Sequence, residues 1–120
     1  MKISIITVCF NSEETVEDTI LSVLAQSYPD IEYIVVDGAS KDSTLEIISR
    51  YATRISTVVS EPDKGIYDAM NKGIALSTGD YVGILNSDDV FADTEVINRL
   101  VTHLQANPQV DATFADLVFV

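Results

Sequence analysis

One cysteine, Cys9, stands in 120 residues. No disulfide can form within the chain, and so sparing a use of thiols fits a reducing compartment. Basic residues are scarce too: 7 Lys and Arg against 19 Asp and Glu leave a net charge of −12. That balance excludes recognition of nucleic acid or of an anionic membrane through a basic patch, and it means that a phosphate ligand needs a cation beside it. Long apolar runs are missing. Met1-Lys2 is followed by eight mostly apolar residues before Asn11-Ser12-Glu13-Glu14, too few to span a bilayer, and no small-residue cleavage site follows. The cytoplasm, or the inner face of its membrane, is the expected location. Glycine-rich phosphate loops are also lacking. The turn after the first apolar run reads Val8-Cys9-Phe10-Asn11-Ser12-Glu13, without the glycines that a dinucleotide fold uses, and there is no Walker A lysine loop. Internal repeats and low-complexity tracts are absent, and a hydrophobic fraction of 47% excludes disorder. At this length the chain is one domain.

What is present is a regular alternation of apolar strands and amphipathic helices. Residues 3–10 read as a strand buried on both faces, with Ser4 and Thr7 as polar members before Asn11. Asn11 with Glu14 three residues on has the form of a capping box, and Val16, Ile20, Val23 and Leu24 follow at helical spacing. Residues 31–36 form a second strand, turned at its carboxyl end by Asp37-Gly38-Ala39-Ser40. Ser43 and Glu46 make another capping box for a helix to about residue 51, with Leu45, Ile48 and Ala52 inward. Residues 55–60 are a third strand, left by the loop Glu61-Pro62-Asp63-Lys64-Gly65 into a helix over 66–77 that Gly79 stops. A fourth buried strand, 81–85, ends in Asn86-Ser87-Asp88-Asp89. Asp93 or Thr94 then caps a helix with Val96, Ile97, Leu100, Val101 and Leu104 on one face and His103 in its last turn, where an imidazole complements the helix dipole. Residues 112–120 read as a last strand that runs off without a turn, so the chain is expected to be a piece of a longer protein whose open apolar edge can pair with a second copy.

The pattern predicts an α/β fold, a mainly parallel sheet with helices on both faces. In such sheets ligands bind beyond the carboxyl ends of the strands, where the loops carrying Phe10-Asn11, Asp37-Gly38, Asp63-Lys64-Gly65 and Asp88-Asp89 converge. Two adjacent carboxylates repel each other unless a cation neutralises them, and a hard divalent ion bridging carboxylates to phosphates is the economical solution. The plainer alternative is an Asx turn and a helix cap. A magnesium-binding receiver-like signalling domain is a rival of another class, but it would carry its acidic pair after the first strand and not after the fourth.

Three stretches in order, Ile5-Ile6-Thr7-Val8-Cys9-Phe10-Asn11, Val35-Val36-Asp37-Gly38-Ala39-Ser40-Lys41-Asp42-Ser43-Thr44 and Asn86-Ser87-Asp88-Asp89, resemble the N-terminal half of family 2 glycosyltransferases of GT-A fold, a Rossmann-like nucleotide-diphospho-sugar transferase half-domain. Between them, Asp63-Lys64-Gly65-Ile66-Tyr67-Asp68-Ala69-Met70-Asn71-Lys72-Gly73 is similar to bacterial capsule and exopolysaccharide transferases. The resemblance implies a nucleoside-diphosphate sugar, with UDP as the expected carrier, an inverting transfer to a glycan or lipid-linked acceptor, and Mg2+ or Mn2+ as cofactor. Thr7, Val8, Phe10 and Asn11 would line the base, with Phe10 either stacking on it or serving as core. Asp37 would accept from a pyrimidine N–H, or else close an Asx turn. Gly38 would let the backbone approach, and Lys64 with Gly65 would lie near the base or diphosphate. Asn86 replaces the family's usual first aspartate, which removes a charge and keeps an acceptor. Asp88 would hold the ribose and share the metal with Asp89. Asn71 and Gly73 would serve helix packing, and Met70 stands where many relatives have arginine. The family's catalytic base is expected beyond position 120.

Overall fold

The computed structural model describes residues 1–107. The elements run β1 (Ile3–Cys9), α1 (Val16–Leu24), β2 (Ile31–Asp37), α2 (Thr44–Ser49), a 3-10 turn (Ala52–Arg54), β3 (Thr57–Ser60), α3 (Ile66–Leu76), β4 (Tyr81–Ile84) and α4 (Val96–Ala106). The four strands form one parallel sheet in the order β3-β2-β1-β4. The last strand read from the sequence, 112–120, and the apolar edge expected of it lie outside the described residues.

Because successive strand side chains point to opposite faces, each central strand feeds two cores. Ile3, Ile5, Tyr33 and Val35 face one side and pack with Val16, Ile20 and Val23 of α1, Ile48 of α2 and Ile97, Val101 and Leu104 of α4. Ile6, Val8, Ile34 and Val36 face the other, where Ala69 of α3 packs, with Met70 and Ile84 partly buried beside them. Helix α3 can lie close because Gly73 has no side chain: a Cβ there would stand 2.5 Å from Cγ2 of Ile6. Three helices therefore cover one face and a single helix the other. Among the described residues no helix is long and apolar enough to cross a membrane.

Local expectations fail in five places. Neither capping box forms. Asn11 takes φ +48 and its Oδ1 accepts the Lys41 N–H at 2.9 Å, so the chain needs four more residues before α1 starts after Thr15. Ser43 does not cap α2 with its side chain, and its N–H donates to Glu13 Oε2 at 3.1 Å, while Asp42 Oδ1 accepts the Thr44 N–H at 3.0 Å. β4 is not buried on both faces. It lies at the sheet edge among the described strands, and Val82 remains 41% exposed. α2 stops at Ser49, and Ala52 faces solvent. Gly79 does not end α3, which stops at Leu76; instead it passes so close to Ser4 that a Cβ would meet Oγ at 2.5 Å. α4 has the expected inner face, with Leu100 partly buried and His103 exposed in its last turn, but its N-cap is Glu95 and neither Asp93 nor Thr94, and no side chain caps it; Asp93 Oδ1 accepts the Glu95 N–H at 2.8 Å just before it.

Candidate functional site

Beyond the carboxyl ends of the strands lies a cleft of about 850 Å³, lined by residues from the loops after β1, β2, β3 and β4 and by the start of α3. Its size suits a cofactor-sized ligand. Five lining residues are acidic, Glu13, Glu14, Asp42, Asp63 and Asp88, and no Lys, Arg or His of the described residues joins them. An anionic ligand cannot settle there on protein charges alone.

Hydroxyl groups build the acidic wall. Leu85 N–H continues the sheet pairing to the Ile6 carbonyl at 2.8 Å, and the chain then turns, the Asp89 N–H reaching the Asn86 carbonyl at 3.0 Å. Thr19, buried on α1, lies with Oγ1 2.9 Å from the Ser87 carbonyl and 2.6 Å from that of Asp89. Ser12 and Ser87 share a hydroxyl hydrogen bond at 2.8 Å, and Ser12 N–H donates to Thr44 Oγ1 at 2.7 Å, which in turn donates to Asp42 Oδ1 at 2.5 Å. Asp88 is exposed and Asp89 half-buried. Burial, and then the neighbouring charge of Asp88, push the Asp89 carboxyl above the ordinary range. Asn86 Oδ1 is buried at the cleft without a hydrogen-bond partner among the described residues. Such an orphaned acceptor is costly unless a ligand donor completes it.

The sheet register decides where the other expected residues point. Val8, Phe10, Asn11, Gly38, Gly65, Asn86 and Asp88 line the cleft, and Phe10 is 60% exposed at its edge. Thr7 does not. It belongs to the face covered by α1, α2 and α4, is fully buried, and shares a hydrogen bond with the Tyr33 hydroxyl at 2.8 Å. Asp37 pairs in register with Cys9 and Ser60 and points to that same face. It is fully buried. Its Oδ2 accepts from Ser40 N–H and Ser60 Oγ, both at 2.9 Å, and its Oδ1 from Ser40 Oγ. The Cys9 thiol, pushed up by burial and then by Asp37, stays protonated and adds a long contact at 3.7 Å. Asp37 is therefore the knot of the loop after β2 and not a cleft residue, because a one-residue step along a strand reverses the face. Lys64 is exposed and stands outside the lining, its N–H held by Asp68 Oδ2 at 2.9 Å.

Sequence alone assigns no site role to Thr19, which looks like an ordinary helix position, or to the lining residues Glu13, Glu14 and Asp42; it places Asp63 at the crevice with its loop but names no contact for it, and that carboxylate sits over Gly38. Asp63 carried a signal, since it follows the third strand at the level of the other loops.

The geometry has counterparts among known proteins. The family described as Glycosyl transferase family 2 matches residues 4–116. An uncharacterized glycosyltransferase of Mycobacterium tuberculosis (strain ATCC 25618 / H37Rv), Rv1514c, is 41% identical over 103 residues, 85% of this chain and 39% of that protein. The poly-beta-1,6-N-acetyl-D-glucosamine synthase of Staphylococcus epidermidis is 34% identical over 112 residues, 92% of this chain and 27% of that protein. Among solved structures, S. aureus TarS 1-349 in complex with UDP-GlcNAc superposes with a TM-score of 0.83 at 26% identity, covering 90% of this chain and 32% of that one. The mannosyltransferase PcManGT of Pyrobaculum calidifontis, in complex with GDP-Man and Mn2+, gives 0.82 at 27% identity, covering 91% and 33%. The chain spans about two fifths or less of the length of the relatives it matches.

Proposed function

The chain belongs to glycosyl transferase family 2, and from that premise we propose that its cleft holds the nucleotide end of a nucleoside-diphosphate sugar, a UDP-sugar first among them, for inverting transfer in polysaccharide synthesis. The observation that carries this reading is the pairing of Asp88 and Asp89 beyond β4 with a cleft that, among the described residues, offers five acidic side chains and no basic one. A diphosphate fits such walls only through a cation.

The residues present suit a hard divalent ion. Asp88 would supply an oxygen donor from the cleft lining and Asp89, which follows it just outside the lining, a second; burial and then the Asp88 charge raise the Asp89 pKa, and a cation beside the pair would favour its charged form. No cluster of three ligating side chains occurs among the described residues, which agrees with an ion that keeps waters and takes its remaining ligands from the phosphates. When bound, magnesium or manganese supplies Lewis-acid stabilisation to the departing nucleoside diphosphate. The chain's own residues do the rest of the holding. Phe10 offers an exposed ring to the base, Asn86 an unpaired acceptor to a ligand hydroxyl or N–H, and Asp88 a carboxylate to the ribose or the ion. The similar solved structures are complexes with UDP-GlcNAc and with GDP-Man and Mn2+, which supports a donor of this class. The acceptor in this reading is a glycan or a lipid-linked sugar.

Calorimetric titration of UDP in Mn2+ and in chelator tests the proposal. Binding in Mn2+ that disappears in chelator and in Asp89→Ala is the expected result. Equal affinity in both media removes the ion from the mechanism.

A further inference from the structure

Position 38 is a glycine although its backbone does not require one, since only Gly65 among the described glycines has positive φ. Its reason lies in what occupies the space above it. A Cβ on residue 38 would stand 2.6 Å from Oδ2 of Asp63 and 3.2 Å from its Cγ. Residue 38 follows Val36 on the α3 side of the sheet, the side on which Val8 and Ala69 line the cleft. The carboxylate of Asp63 therefore takes the place that a side chain on residue 38 would fill. Its Oδ1 accepts the Gly65 N–H at 3.0 Å, which fixes the group in the loop. No protein donor among the described residues is recorded on Oδ2, and Asp63 is only half-buried.

We infer that Asp63, and not Asp37, is the residue that reads the base of the bound nucleotide. The inference rests on the nucleotide-sugar reading above and adds a specificity to it. Asp37 has four donors and no access to the cleft, whereas Asp63 has an oxygen to spare within it. Asp88 follows β4 and Gly38 follows β2, with β1 between them, so the acidic wall and the Asp63 carboxylate stand roughly 10 Å apart, two interstrand spacings. With the diphosphate and its cation at the Asp88 end, the base extends toward Asp63. A carboxylate only accepts hydrogen bonds. It therefore suits a base whose pairing edge presents a ring N–H, as uracil and guanine do; with cytosine or adenine it opposes the lone pair of the bare ring nitrogen and has only the exocyclic amino group to accept from.

The test is a ratio, which a general loss of structure does not move. Affinities of UDP against CDP, and of GDP against ADP, are measured by calorimetry with Mn2+ in excess for the 120-residue chain and for Asp63→Asn and Asp37→Asn. Asn at 63 keeps an acceptor for Gly65 N–H, and its amide can turn a donor to cytosine. The wild type is expected to favour the ring N–H base of the tighter pair by about tenfold or more, the worth of one hydrogen bond to a charged group. Asp63→Asn should bring that ratio to within about threefold of unity, with Asp37→Asn leaving it unchanged. A wild-type ratio near one, or a ratio that survives Asp63→Asn or collapses in Asp37→Asn, overturns the inference alone. Absence of binding by all four nucleotides to the wild type in Mn2+ overturns both it and the nucleotide-sugar reading.

Discussion

Thr19 Oγ1 lies 2.6 Å from the carbonyl oxygen of Asp89, with the Ser87 carbonyl at 2.9 Å on the same hydroxyl, so a buried threonine of α1 ties both sides of the turn that carries Asp88. Thr19→Val keeps the shape and removes the single hydroxyl proton that those two carbonyls share. A loss of about 1–3 kcal/mol in unfolding free energy is expected from denaturant titration. Hydrogen exchange should show the Asp89 amide losing protection more than the amides of β1, and Thr19→Ser should restore it. Uniform loss across the sheet would mean that Thr19 supports only the packing of α1.

Asp37→Ala removes the acceptor of three hydroxyl and amide donors in a fully buried place. The expected result is a fall in Tm and in stability of about 3 kcal/mol or more, since several donors are left unpaired together. Nucleotide affinity, measured well below the new Tm, should change less than in Asp63→Asn.

Ala39 occupies the left-handed region at φ +62. An L residue is strained there by about 1–2 kcal/mol, and glycine returns part of that advantage through its greater freedom when unfolded. Ala39→Gly should therefore stabilise by about 0.5–1 kcal/mol, read as a higher denaturant midpoint at unchanged slope.

The raised pKa of Asp89 has a sign that can be tested. A carboxyl whose folded pKa lies above its unfolded one favours the protonated fold, so stability is greatest below the unfolded pKa and falls as pH rises through the folded value. Asp88→Asn removes one of the two named causes, and the Asp89 carboxyl, followed by carbon-detected NMR, should titrate at lower pH. The decline in stability through that window should shrink. An unmoved titration would leave burial as its whole cause.

Much of this was legible in the residues. The strands are legible because apolar runs of this length between turn residues have few other uses, as at 31–36; an acidic pair after the fourth strand and not the first speaks against a receiver-like domain, and the three ordered motifs point to a transferase. The family match over residues 4–116 agrees with that choice. What sequence misjudged was direction. Thr7 and Asp37 were expected at the ligand, yet both point to the face under α1 and α2, Thr7 through its register with Val35 and its hydrogen bond to Tyr33, and Asp37 through its register with Cys9 and Ser60. Asn11 followed by Glu14 has the spacing of a cap, but a cap requires the next residues to turn helical at once. The bond from Lys41 N–H to Asn11 Oδ1 joins two loops 30 residues apart, and local pattern carries no trace of it.

Those cross-loop ties bear on how much of the cleft a ligand must order. Ser12 joins the loop after β4 to the loop after β2, and Asn11 repeats the second connection. The loops after β1, β2 and β4 are thus held to one another by the chain's own hydrogen bonds, and a molecule that enters between them is expected to lose little free energy to ordering that part of the wall.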